Sequence, residues 1–178
     1  ILFTGSGTES INLALKGAAF SRQKQGNHII TSSIEHHAVL ETCRYLEHQG
    51  FEVTYVQPNT EGVIEADAIK EAVKENTILI SVMYVNNEIG TIQPIAEIGR
   101  FARSKNILFH TDACQAAGYL DLDVHMLHVD LLSLNGSKIY GPKGVGMLFK
   151  KVGVTLEPLI HGGGQEFGLR SGTEHVAA

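Results

Sequence analysis

Hydrophobic positions change period repeatedly along this chain, from short runs to helical spacing and back. Ile1, Leu2 and Phe3 form an apolar run that reads as the end of a strand. Ile11, Ala14, Leu15, Ala18 and Ala19 then fall at helical spacing, entered through the loop Gly5-Ser6-Gly7-Thr8. Residues 27–31 predict a short strand, and residues 38–49 a helix that Gly50 closes. Residues 51–57 alternate, with Phe51, Val53 and Tyr55 opposed to Glu52 and Thr54, so they predict another strand. Residues 66–75 predict a helix with Ile69, Ala72 and Val73 on one face. Residues 77–85 are apolar and β-branched, the pattern of a strand buried on both sides. A helix is expected over 94–104, with Pro94 near its first turn, and a strand over 107–110. Residues 123–128 predict a short helix, and 129–132 and 145–149 two further buried strands.

That alternation, with connections of a few residues, implies an α/β fold: a mostly parallel sheet with helices on both faces. No repeat or linker divides the 178 residues, which suffice for one domain with a sizeable core. Residues 161–173 break the pattern. Gly162, Gly163, Gly164, Gly168 and Gly172 cannot sustain a regular element, so a shaped loop is expected. Its Arg170, Ser171 and Thr173 suit contact with an anion.

Composition narrows the function classes. A hydrophobic content of 43% with 19% charged residues is globular rather than disordered. A net charge of −5 favours neither nucleic acid nor an anionic membrane as partner, and no apolar run is long enough to cross a bilayer. The start lacks a Met and a basic leader and the end carries no stop signal, so the chain reads as an internal fragment. Two distant cysteines, Cys43 and Cys114, argue against a disulfide framework and for a reducing compartment, the cytoplasm. His36-His37 and the His125/His128 pair lack any Cys-x-x-Cys or His-Glu-x-x-His companion, so no metal site is expected.

Several stretches carry candidate chemistry. A glycine loop feeding a helix N-terminus offers free N–H groups and a favourable dipole to a phosphate. The competing reading is an ordinary cap by Thr8 or Ser10. The loop is no P-loop, and it lacks the third glycine of a dinucleotide fingerprint. Asn86 and Asn87 follow a strand's C-terminal end, the edge where open α/β sheets bind ligands; a plain Asn turn competes. His36 opens a helix and could face a site. Asp112, just past a buried strand, can accept a hydrogen bond from a protonated ring nitrogen, or simply cap a turn. Gln115 shares its face three residues on. Lys138 lies between two apolar runs, flanked by small polar residues and followed by Gly141-Pro142. Schiff-base chemistry needs an amine that can lose its proton, which partial burial favours; a surface lysine is the alternative.

Taken in order, residues 4–9, Glu35-His36, 86–90, 110–115, 137–146 and 161–173 resemble the cysteine desulfurases of the NifS/IscS type, over essentially the whole chain. These are pyridoxal 5'-phosphate (PLP) enzymes of fold type I in the class V aminotransferase superfamily. The resemblance implies an aspartate aminotransferase-like fold, with residues 1–178 a single domain, part of the PLP-binding large domain, and the small C-terminal domain absent. It implies that L-cysteine is converted to L-alanine, with its sulfur passed as a protein-bound persulfide to iron–sulfur cluster scaffolds or thiolation pathways. Lys138 matches the lysine that holds the cofactor, Asp112 the partner of the pyridinium nitrogen, and Gln115 the glutamine on the phenolic oxygen. Asn87 matches an asparagine beside the cofactor and the substrate carboxylate, and His36 the histidine stacked on the ring, able to relay protons. Gly7 and Thr8 match the phosphate loop, and Thr173 a threonine reaching the partner subunit's phosphate, which implies a homodimer.

Two departures stand out. Ser137 replaces a common phosphate-binding His, and Asn135 a common Ser; both can still donate a hydrogen bond, so an altered phosphate site is expected. The family's nucleophilic cysteine and a substrate-carboxylate arginine lie beyond Thr173, and neither Cys43 nor Cys114 matches the nucleophile. Rivals are a selenocysteine lyase or another class V aminotransferase, and, from a different class, a catalytically silent scaffold on the same fold. Lys138 and Asp112 argue against the scaffold, and the 161–173 loop favours the desulfurase.

Overall fold

The computed structural model describes residues 1–177. Seven strands form one sheet: β1 (Leu2–Thr4), β2 (His28–Ser32), β3 (Glu52–Val56), β4 (Thr77–Ser81), β5 (Leu108–Asp112), β6 (Leu131–Asn135) and β7 (Gly146–Lys150). The order across the sheet is β1-β7-β6-β5-β4-β2-β3. Strands β3, β2, β4, β5 and β6 are parallel, and β7 pairs antiparallel with both β6 and β1. The mostly parallel sheet expected from the alternating pattern is therefore present, with β7 the one reversed strand among the described residues.

Consecutive residues of the central strands serve opposite cores, because side chains alternate across a strand. Ile29, Leu79, Leu108 and Leu131 pack with helices α1 (Gly7–Arg22) and α2 (His37–His48). Ile30, Ile80, Phe109 and Leu132 pack with α3 (Ala66–Ala72) and α4 (Ile95–Ser104). Burial on both faces explains the apolar centres of these strands, Ile29-Ile30, Ile78-Leu79-Ile80, Leu108-Phe109 and Leu131-Leu132, while buried polar residues such as His28, Thr31 and His110 are hydrogen-bonded within the sheet.

Local chemistry moves several expected boundaries. The cap of α1 is Ser6, whose Oγ accepts the Glu9 N–H at 3.1 Å, and not Thr8 or Ser10. Ser10 is instead buried, bonded to the Thr4 hydroxyl at 2.7 Å. Helix α3 stops at Ala72 rather than at residue 75, because the Thr77 hydroxyl takes the Lys74 N–H at 2.8 Å. Strand β4 ends at Ser81, short of residue 85, although Val82 N and Tyr84 N still donate to His110 O and Asp112 O. Residues 124–128 are turns and not the short helix expected. Asp123 Oδ1 accepts the His125 and Met126 N–H groups, and His128 leaves the turn with φ of 57°.

Candidate active site

The C-terminal ends of β2, β4, β5 and β6 and the N-terminus of α1 surround a cavity of about 200 Å³. Open parallel sheets bind ligands at this edge because loops diverge there and helix N-termini converge. Gly7, Thr8, His36, Asn87, Asp112, Gln115, Asn135 and Lys138 line it. Two residues singled out in the sequence are not among the lining: Ser137 is exposed beside Lys138, and Thr173 is exposed on the last loop.

Each lining residue has an identifiable local anchor. Gly7 is the first residue of α1, where N–H groups lack partners within the helix. A Cβ there would sit 2.8 Å from Cys114 Sγ and 3.1 Å from Asn135 Cβ, so glycine keeps this corner of the cavity open. If the cavity takes the PLP that the resemblance implies, Gly7→Ala should weaken its binding about tenfold in a fluorescence titration, roughly the cost of a small overpacking error. Adding Cys114→Ala should recover part of that loss, and no recovery would mean that the clash lies elsewhere.

His36 caps α2. Its Nδ1 accepts the Ala38 N–H at 3.0 Å, which leaves Nε2 for the cavity and the proton of the neutral ring on that nitrogen. Asp112, the last residue of β5, is 5% exposed. Its Oδ1 accepts the Cys114 N–H at 3.0 Å, so capping and cavity lining are combined in one carboxylate. The two asparagines divide their duties. Asn86 builds the turn, accepting the Glu88 and Ile89 N–H groups and donating to Ile34 O, while Asn87 lines the cavity.

Beneath Asp112 lies buried His110. Its Nδ1 is 2.8 Å from Ser81 Oγ and its Nε2 is 2.9 Å from Ser133 Oγ, so one imidazole braces the ends of β4, β5 and β6. Burial pushes its pKa down to about 3, so the ring stays neutral. Both thiols are pushed up, Cys43 by burial and Cys114 by burial and the neighbouring Asp112 charge. Neither is a thiolate near neutral pH.

Lys138 differs from expectation in its setting. It lines the cavity but is exposed, on the 3-10 turn Gly136–Ile139 that follows β6, and not half-buried at a strand end. The 161–173 loop also differs. Arg170 Nε donates to Glu9 Oε1 at 2.8 Å, and Glu9 Oε2 accepts the Gly5 N–H, so its charge meets a carboxylate rather than a free anion. Arg170 and Glu166 line a separate groove with Phe3. Ile11, Met83 and Val85 line the main cavity without having been singled out, and Cys114 lines it too, though named above only as a thiol that does not match the nucleophile. One pattern links three of the lining residues: Met83, Val85 and Asn87 stand at every second position between the end of β4 and the Asn86 turn. Among the described residues, no helix is long and apolar enough to cross a membrane, and no cluster of three or more His, Cys, Asp or Glu side chains could hold a metal ion.

Comparison with known proteins gives a consistent picture. The aminotransferase class-V family model matches residues 1–178. Cysteine desulfurase IscS of Clostridium botulinum is 55% identical over 99% of the chain and 45% of its own length. The protein of the same name from Methanosarcina thermophila is 56% identical over 99% of the chain and 44% of its own. The chain thus spans less than half the length of these relatives. Among solved structures, SspA in complex with cysteine superposes with a TM-score of 0.94 at 52% identity, covering 98% of this chain and 51% of that one.

Proposed function

Because the chain belongs to the class-V aminotransferase family, whose cofactor is PLP, we propose that it is the cofactor-binding part of a cysteine desulfurase. The observation that carries this reading is the convergence of Lys138, Asp112, Gln115, His36 and Asn87 on one cavity at the N-terminus of α1. The residues suit the cofactor. An amine, a carboxylate and an amide are available for its aldehyde, ring nitrogen and phenolic oxygen, and the side-chain-free corner at Gly7 gives a phosphate access to unpaired N–H groups. When bound, PLP supplies an electron sink that stabilises negative charge developing on the substrate.

The chain's own residues do the rest. Lys138 would hold the cofactor through Nζ and, once displaced by substrate, move protons at that atom. Asp112, fixed through Oδ1, would keep a proton on the ring nitrogen by holding its negative charge there. His36, fixed through Nδ1, would cover the ring and offer Nε2 for proton relay. Asn87 would orient the substrate carboxylate, and Asn135 and Ser137 would serve the altered phosphate side. The proposed substrate is L-cysteine, supported by the SspA structure in complex with cysteine. Its sulfur leaves as a persulfide on an enzyme cysteine, and the electron pair of the broken C–S bond ends, with a proton, in the methyl group of alanine.

That enzyme cysteine is neither Cys43, which is fully buried in the core, nor Cys114, since neither position matches the nucleophile of the family the chain resembles. Cys43→Ala in the full-length protein should leave alanine formation intact and cost about 1–2 kcal/mol of stability, as loss of a buried group does. The remaining elements rest on the resemblance: one PLP-binding large domain over 1–178, a homodimer in which the exposed Thr173 reaches the neighbouring subunit's phosphate, a sulfur-acceptor protein such as an iron–sulfur scaffold, and a cytoplasmic setting that the two free cysteines suit. The test is incubation of the full-length protein with PLP, L-cysteine and a thiol reductant. Alanine and sulfide should appear in equal amounts; alanine without sulfide, or neither, overturns the desulfurase reading.

A further inference from the structure

Glu35 sits in the turn that leads from β2 into α2, is 5% exposed, and has no part in the roles assigned above. Its Oε1 accepts two hydrogen bonds, from Ser32 Oγ at 2.6 Å and from Met83 N at 2.9 Å. The second bond crosses from the His36 turn to the segment carrying Met83, Val85 and Asn87. A second tie runs beside it, from Asn86 Nδ2 to Ile34 O at 2.8 Å. Both segments wall the cavity, one through His36 and the other through Met83, Val85 and Asn87. The geometry points to Glu35 as a positioning residue that clamps these two segments together and so sets His36 and Asn87 relative to the ring site. This rests on the functional reading above, and its test is arranged to stand apart from it.

A carboxyl is an unusual choice for such a buried place. Oε2 is buried without a hydrogen-bond partner, which an ionised carboxylate tolerates poorly. Burial raises its pKa from 4.5 to about 8, opposed by the Ser32 and Met83 hydrogen bonds and reinforced by the charge of Asp112. The thiol of Cys43, on α2, is the other titratable group beside it, pushed up first by burial and then by this carboxyl and Glu47. Glu35 therefore serves as the neutral acid near pH 7, and Gln is its conservative replacement. The unfolded chain ionises above about pH 4.5 while the folded chain does not until about pH 8. Stability from this group is thus complete below pH 4.5 and falls as pH rises through that window.

The experiment uses the full-length protein, wild type, Glu35→Gln and Glu35→Ala, first without PLP. Amide hydrogen exchange at Met83 and the ring resonances of His36 are read by NMR. Glu35→Ala should speed Met83 exchange at least tenfold and shift the His36 signals, with Ala102 in α4 unaffected; Glu35→Gln should change neither by more than about threefold. Met83 exchange unchanged in Glu35→Ala overturns the clamp. If Glu35→Ala does not fold, Glu35→Gln decides: it must keep Met83 protection and abolish the decline in urea midpoint between pH 5 and pH 8, and failure of either overturns the proposal. In the PLP-loaded protein, alanine formation should fall at least tenfold in Glu35→Ala and recover in Glu35→Gln. Faster Met83 exchange with unmoved His36 signals and unchanged turnover would leave Glu35 a structural tie only and overturn positioning. A wild type that yields no alanine defeats the desulfurase reading, while the exchange and His36 data still decide the clamp.

Discussion

Lys138→Ala in the full-length protein is expected to remove the borohydride-stable pyridoxyl group from residue 138 and to slow alanine formation by about 10³–10⁴. That is the upper part of the range of about 10²–10⁴ lost with a positioned proton-transfer group, as suits a lysine that would both hold the cofactor and move protons. The loss should be one of chemistry and not of folding. Lys138 is exposed on its 3-10 turn, and exposed substitutions of this kind change stability by about 0.5 kcal/mol or less. Peptide mass spectrometry after reduction supplies the decisive readout. Wild type should carry the group on Lys138 alone. Label on Lys143, also exposed in the following loop, or spread over surface lysines, would end the assignment.

The second large effect separates two duties of one side chain. Asp112 caps the Cys114 N–H through Oδ1 and would hold the charge opposite the ring nitrogen. Asp112→Asn keeps an oxygen for the cap and loses the charge. Asp112→Ala loses both. Thermal unfolding should therefore spare the asparagine variant and cost the alanine variant about 1 kcal/mol, the worth of a cap. Turnover should fall in both by about 10²–10³, the usual loss when a preorganised charge partner is removed. If asparagine retains turnover within a few-fold of wild type, the carboxylate is a cap and nothing more.

The sequence allowed both duties for Asp112; its carboxylate caps the Cys114 N–H and also lines the cavity, where the proposed ring contact would be made. The fold was legible because the centres of strands buried on both faces write themselves as short apolar runs, as Ile78-Leu79-Ile80 and Ile107-Leu108-Phe109 do. The site residues were legible mainly through order: Gly7, His36, Asn87, Asp112 and Lys138 are far apart in the chain and share only a strand end or helix start. What escaped was settled by single side-chain bonds across the fold. The Thr77 hydroxyl ends α3, the Ser6 hydroxyl caps α1, and the Glu9 carboxylate takes up Arg170. Helical periodicity carries no record of such partners. The exposure of Lys138 was equally hidden, because the residues after β6 form a 3-10 turn that ends in left-handed Tyr140, φ 61°, where a Gly-Pro turn gave the only hint. Glu35 had no periodic signal either; only its depth reveals it.

The reversed strand β7 has a consequence for synthesis. Strand β1 is at the edge of the sheet and bonds to β7 alone, through Leu2↔Leu148, Phe3↔Met147 and Thr4↔Gly146. Gly146 also has no room for a Cβ, which would fall 2.3 Å from the Ser6 backbone. Strand β1 therefore finds its place only after β7, far along the chain, has left the ribosome, a closure with high contact order. Until then the residues leading into α1 lack the β7 pairing that fixes them, although β2, β3, β4, β5 and β6 can already pair. Cofactor capture at that corner should consequently be a late event in biogenesis, and nascent chains arrested before residue 146 should be sensitive to protease at residues 1–10 whether or not PLP is supplied.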